Sequence, residues 1–305
     1  MAEEEFAIGI GDPNEMKHFV ESYPVFMERL AFLNAVRDKV FQRKGEGKLF
    51  DIVIFAFGKV CAEDFQQAYI LCGNGFGIGA SQILREMYER HVTAAYLLKH
   101  PDELEQFLEY DKVHRYKGFN HFASSYTADE LDKIISKETQ ERIKAQYDEV
   151  KGNFRMTLCK KCKSTQPMFS WTTLSTLDLA KRTKRGLEGH YYNDFYEPTI
   201  FTHSTASALQ ARMRADKNGH PFFDAEGQRK KVGTVLMSVH LLLLFVLDLQ
   251  NDFFKLGIDD DIKQLEKDYR DCWTPNEPAR PDSETKAVGV PAAPAQPPST
   301  EDKSQ

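Results

Sequence analysis

The chain has 305 residues, of which 41% are hydrophobic and 28% charged; it is neither a wholly disordered polypeptide nor a membrane-like one. Lys and Arg number 40 against 46 Asp and Glu, a net charge of −6, so no overall basic character advertises nucleic acid. An odd five cysteines, with no apolar run behind Met1, argue against a secreted disulfide scaffold and for a reducing, cytoplasmic setting.

Residues 1–12 open with Ala2-Glu3-Glu4-Glu5 and are expected to be flexible. From Glu15 to Phe41 apolar positions such as Phe26, Leu30, Leu33 and Val40 recur at helical spacing, with Pro24 marking a break or a helix start. The run from Phe50 to Phe57 has strand propensity, yet it continues without a turn into Val60–Leu71, and helix is the favoured reading. Gly73, Gly75, Gly77 and Gly79 then break the chain. From Ala80 a stripe of Ile83, Leu84, Met87, Tyr88, His91, Ala94, Ala95 and Leu98 predicts an amphipathic helix.

Pro101-Asp102-Glu103 supplies a helix-starting proline and two first-turn acids. Thr127-Ala128-Asp129-Glu130 has the form of a capping box, and the periodicity that follows runs through Val150 to Phe154, past Gly152. Beyond Pro167 the elements shorten: a helix near Thr176–Thr183, an aromatic stretch from Tyr191 to Tyr196, a helix from about Pro198 to Arg214, and a turn at Asn218-Gly219-His220-Pro221. Val232–Leu249 is nearly long enough to cross a bilayer. Its Gly233, Thr234, Ser238 and His240 favour a core helix apolar all round, and no membrane partner is expected. A last helix covers Ile262–Tyr269.

The fold class read from this pattern is all-α, a multi-helix bundle of eight to ten helices in a single domain over residues 13–272. Seven of the 13 prolines fall after Thr274, so residues 273–305 are expected to form a disordered Pro-rich tail.

Two motifs are set aside. The glycines at 73–79 miss the strict dinucleotide spacing and sit in no βαβ unit, so no nucleotide cofactor is expected. Cys159-Lys160-Lys161-Cys162 is a CxxC without a second ligand pair, and no metal is expected.

Two polar constellations remain. Lys151 to Arg185 carries nine basic residues and one acid; Lys160, Lys161, Lys163, Lys181, Arg182, Lys184 and Arg185, interleaved with Trp171, are the ingredients of a surface that holds phosphates and stacks bases. A solvated face is the plainer reading. In the helix beyond Ala80, Arg85 and Glu89 stand one turn apart beside the apolar stripe and His91 stands on it, while His203 lies in a later segment.

Arg85 and His91 also fit an Arg-x(4–6)-His pattern and so resemble the HEPN ribonucleases. That resemblance implies a helical, usually dimeric protein that cleaves RNA without metal, Arg85 stabilising charge and a histidine serving as acid–base group. Leu84-Arg85-Glu86-Met87-Tyr88-Glu89, Ala95 to Asp102, Phe107 to Tyr110, and Tyr196 ahead of Phe201-Thr202-His203-Ser204 resemble a bacterial all-helical family of unknown function, number five-six-seven-seven. It implies a helical bundle without an assigned activity, with recurring polar positions at Arg85, Glu89, His203 and Ser204. The resulting expectation is a cytoplasmic interaction or structural module with an internal Arg/Glu/His network. The alternative is an HEPN-like ribonuclease or RNA-binding protein, with RNA and a second copy as its partners.

Overall fold

The computed structural model describes residues 13–42, 47–158, 162–223 and 226–274. The expected loose N-terminus and the tail beyond Thr274 lie outside the described residues.

Helix α1 (Pro13–Ser22) and helix α2 (Pro24–Phe41) split at Pro24, which occupies the first helical position of α2, where a missing N–H costs nothing. Helix α3 (Leu49–Gly73) takes the whole of the segment with strand propensity. The Asp51 carboxylate receives the Lys48 amide at 3.0 Å and ties off its first turn. Helix α4 (Gly77–Lys99) starts three residues before the expected Ala80 and buries the predicted stripe, with Leu84, Met87, Tyr88, His91 and Ala95 all at 2% exposure or less.

These two helices and α11 (Glu226–Phe254) pack on one another as the centre of the molecule. Close approach depends on glycines. A Cβ at Gly77 would lie 2.4 Å from the Gln228 carbonyl oxygen of α11, and one at Gly58 would lie 2.4 Å from the Gln250 amide nitrogen, itself a donor to the Ile54 carbonyl. Helix α11 is long and apolar enough to cross a bilayer. Here Leu236, Val239, Leu242, Leu243 and Leu247 have no exposed surface, so it is a core helix. Lys255 and Gly257, both at positive φ, turn the chain into α12 (Asp259–Trp273). The Asn251 side chain bridges the corner to the Ile258 amide and Asp259, and the Trp273 indole donates to His240 at 3.1 Å, fixing α12 back on α11.

Outside this centre, a 3-10 turn over Pro101–Glu103 leads into α5 (Leu104–Ala123). The capping box forms as read: Thr127 and Glu130 satisfy each other's amides at the start of α6 (Ala128–Ile134). Helix α7 (Lys137–Val150) packs on α5 and stops short of the expected continuation. Phe154, which extends the helical period on paper, instead leads into an antiparallel hairpin of β1 (Arg155–Thr157) and β2 (Thr165–Pro167) and is buried there.

Helix α8 (Thr176–Thr183) has the predicted bounds, capped by Ser175 on the Asp178 amide. A 3-10 turn (Leu187–His190) and one π-helical turn (Tyr192–Tyr196) follow. The single helix expected over 198–214 is instead two. Helix α9 (Glu197–Thr202) ends at an extended His203, and Thr205 caps a fresh start for α10 (Ala206–Gln210) by accepting from the Ala208 amide. The turn at 216–220 joins β3 (Met213–Ala215) to β4 (Pro221–Phe223). The fold is all-α with two three-residue hairpins. The described residues hold twelve α-helices rather than eight to ten, because Pro24, the Ile135–Ser136 break and the His203–Thr205 corner divide what the periodicity joined.

Candidate functional site

Arg85 and Glu89 meet, 3.4 Å apart across one turn of α4, but at the border of the core rather than inside it: their side chains are 25% and 47% exposed. Arg85 reaches α9, donating from Nε to the Thr199 hydroxyl at 3.0 Å and laying its guanidinium 4.7 Å from the centre of the Phe195 ring. A cation over a ring and a hydrogen bond in the same side chain make Arg85 a brace between α4 and α9. His203 stands exposed at the end of α9, and Ser204 is exposed beside it. Among the described residues no hydrogen bond or ion pair joins the His203 ring to Arg85 or Glu89.

His91 is 2% exposed and stacked on Phe245, and burial, with Arg185 nearby, pulls its pKa down to about 3. It is a neutral core side chain with no access to a phosphodiester. The polar groups that do lie inside the molecule are others. Asp194 is 1% exposed on the π-helical turn, 3.7 Å from His190, and burial raises its pKa. Ser238 stands close enough to moderate that shift without an aligned hydrogen bond. His240 is 1% exposed, and burial lowers it to about 4.

The basic segment is dispersed by its partners. Lys160 and Lys161, like Cys159, lie outside the described residues. Lys163 is exposed in the hairpin turn at positive φ. Lys181, Arg182 and Lys184 are exposed at the end of α8. Arg185 instead bridges Asp248 at 3.2 Å and Asp252 at 2.9 Å. Trp171 is 8% exposed, set edge-on against Phe107 and Tyr96, and offers no open ring face for a base to stack on. Among the described residues no His, Cys, Asp and Glu group has metal-binding proximity.

One cleft does unite residues from both constellations. Glu89, Arg90 and Thr93 of α4, Asp111 and His114 of α5, and the segment Phe169–Trp171 line a depression of about 600 Å³. It adjoins an apolar hollow of about 260 Å³ against α3, with Phe57, Arg90 and Phe107 common to both. None of the described cations of the 151–185 segment lines it.

Charge in the cleft is arranged in a chain. Arg90 is held at Nη1 by Asp64 (2.5 Å) and at Nη2 by Glu86 (2.8 Å). Asp64 is 4% exposed, and its burial pushes its pKa up against the pull of Arg90. Glu89 is met by Arg85, and Asp111 by Arg115 at 2.6 Å. Four carboxylates against three guanidinium groups leave this set one negative charge in excess. His114 packs edge-on against Tyr110 at 4.6 Å.

Asp111 and His114 escaped the sequence reading. They carry no motif, and only the placement of α5 across the cleft from α4 brings them into one lining with Glu89. A signal existed in their spacing of three on a helix, which places both on one face.

No curated protein and no solved structure matches the chain. The model of a family of unknown function, DUF5677, matches residues 50–221, a span that contains α4, α5, the Phe169–Trp171 segment and the whole lining of the cleft. With more than half of its length covered by that model, the chain belongs to this family.

Proposed function

We propose that the protein is a helical binding module whose working surface is the cleft between α4 and α5. One observation carries this reading: Glu89 and Trp171, 82 positions apart in the chain, line the same depression, whose volume is that of a pocket for a small molecule. Its walls are rigid elements, and Arg85 braces the helix that carries Glu89.

The test is a ligand-observed NMR fragment screen on the full chain. Binders are expected to compete with one another and to be lost together in a Glu89→Ala, Phe169→Ala double variant that keeps the native melting temperature. Hits unaffected by that variant, or a screen without saturable hits, would refute the reading. RNA is the competing occupant, and Lys181 and Lys184, exposed at the end of α8, are cations that would meet its phosphates. A labelled single strand that binds with steep salt dependence and displaces no fragment would move the working surface from the cleft to the end of α8.

A further inference from the structure

Phe169 is 82% exposed, although the backbone on both sides of it is fixed. The Met168 carbonyl accepts from the Tyr110 hydroxyl at 3.1 Å and from Lys117 Nζ at 3.2 Å, and the Trp171 carbonyl accepts from Gln106 Nε2 at 2.7 Å. A ring of this size left in water adds nothing to the core and loses the favourable burial open to it. Anchoring of its neighbours holds it at the wall of the cleft, so its exposure is built in rather than a fraying of the loop.

The chemistry of the lining narrows what it can meet. Arg90 is committed to two carboxylates, and Arg85 and Arg115, which meet Glu89 and Asp111, do not line the cleft, so the charged groups its wall presents to a ligand are the carboxylates of Glu89 and Asp111, beside Phe107 and Phe169. An anion would be repelled. A neutral apolar ligand would strip water from two carboxylates and return nothing for it. A cation with an organic body meets both demands, charge against carboxylate and carbon against ring, and the negative face of an aromatic ring attracts it further.

The geometry points to a small organic ammonium ion as the ligand of this cleft, its charged head toward Glu89 and Asp111 and its carbon body against Phe169 and Phe107. This assignment rests on the reading of the cleft as the binding site. The experiment titrates the full chain by calorimetry, at constant ionic strength, with choline and with its uncharged isostere 3,3-dimethyl-1-butanol, and likewise with n-butylammonium and 1-butanol. At least one cation should bind saturably, about tenfold or more tighter than its neutral counterpart, with Glu89→Gln and Phe169→Ala each weakening it by about tenfold.

An isostere that binds as tightly as its cation overturns the ammonium assignment while leaving the cleft as a binding site. No saturable binding of either cation up to about 10 mM, a range in which even weak specific sites fill, also overturns it, and the fragment screen then decides the cleft separately. Binding that survives both substitutions unchanged places the cation elsewhere and overturns it too.

Discussion

Replacing Arg90 with alanine removes the cation that keeps Asp64 tolerable inside the molecule. The Asp64 side chain is 6% exposed and its partner 31%, so the loss resembles breaking a buried pair, for which about 3–5 kcal/mol is typical. Water entering where Arg90 reached the surface reduces this, and about 2–3 kcal/mol is the expected cost. For a domain of this size that corresponds to a fall in melting temperature on the order of 5–10 °C.

The loss also acquires a pH signature. Burial already raises the folded-state pKa of Asp64, and removing Arg90 takes away the main influence that lowers it. The folded state then holds a proton that the unfolded state has released, so stability falls as pH rises through the folded pKa and is recovered below it. Thermal unfolding followed by circular dichroism at pH 5 and pH 8 should therefore show a larger deficit for Arg90→Ala at pH 8. The double change Arg90→Leu with Asp64→Leu should recover most of it, since a packed apolar pair carries no stranded charge. A deficit below about 0.5 kcal/mol, the level of a surface pair, and equal at both pH values, would refute the account of Asp64 as a buried charge held by Arg90.

Gly77→Ala should cost about 1–3 kcal/mol in chemical denaturation despite alanine's better helix propensity, because its methyl group would meet a backbone carbonyl that cannot rotate aside; an unchanged midpoint would contradict the close contact of α4 with α11. Thr199→Val removes the acceptor for Arg85 and should raise amide hydrogen exchange across α9 with a global loss of about 1 kcal/mol; unaltered exchange there would remove the brace. His91 and His240 are held neutral by burial, their pKa values lowered to about 3 and about 4. The unfolded chain therefore binds protons that the folded one refuses, and each histidine lowers stability by about 1.4 kcal/mol per pH unit as pH falls from about 6.5 toward those values. Asp194, raised by burial, acts in the opposite sense, so the informative quantity is a difference: His91→Leu should lessen the acid slope by one proton's worth, and an identical slope in the variant would disprove the burial of a neutral ring.

The helices were largely legible because each carried its own local signal. Ser175 before α8 and the Thr127–Glu130 box are contacts between residues three apart, and the helix starts they mark are the starts observed. Choosing helix over strand for α3 rested on the length of the uninterrupted run, which the 25 residues of that helix bear out. Elements decided by three residues at a time were not legible. The strands of both hairpins are too short to show alternation, and Phe154 happens to continue the preceding helical period. The corner at His203 contains neither proline nor glycine, and only the Thr205 cap marks it.

The site was legible in fragments. Glu89 and Trp171 were noted for separate reasons, an ion pair and a basic segment, and nothing local says that they share a cleft. Charge counting along 151–185 failed in a similar way. It registers Arg185 as available, whereas Asp248 and Asp252, more than sixty positions later, neutralise it. The expected internal Arg/Glu/His group has its Arg and Glu at the rim, because a helix stripe gives the direction of a side chain but not what covers it.

Helix α11 lies beyond residue 221, yet it is the element against which α3 and α4 bury their inner faces. A piece cut to the span 50–221 would present those two faces to water over most of their length, together with the glycine notches at 58 and 77 shaped to receive α11. Such a piece has no reason to stay monomeric or even soluble. The stretch by which the family is recognised is thus shorter than the stretch that builds the core, and an expression boundary placed before α11 would divide that core.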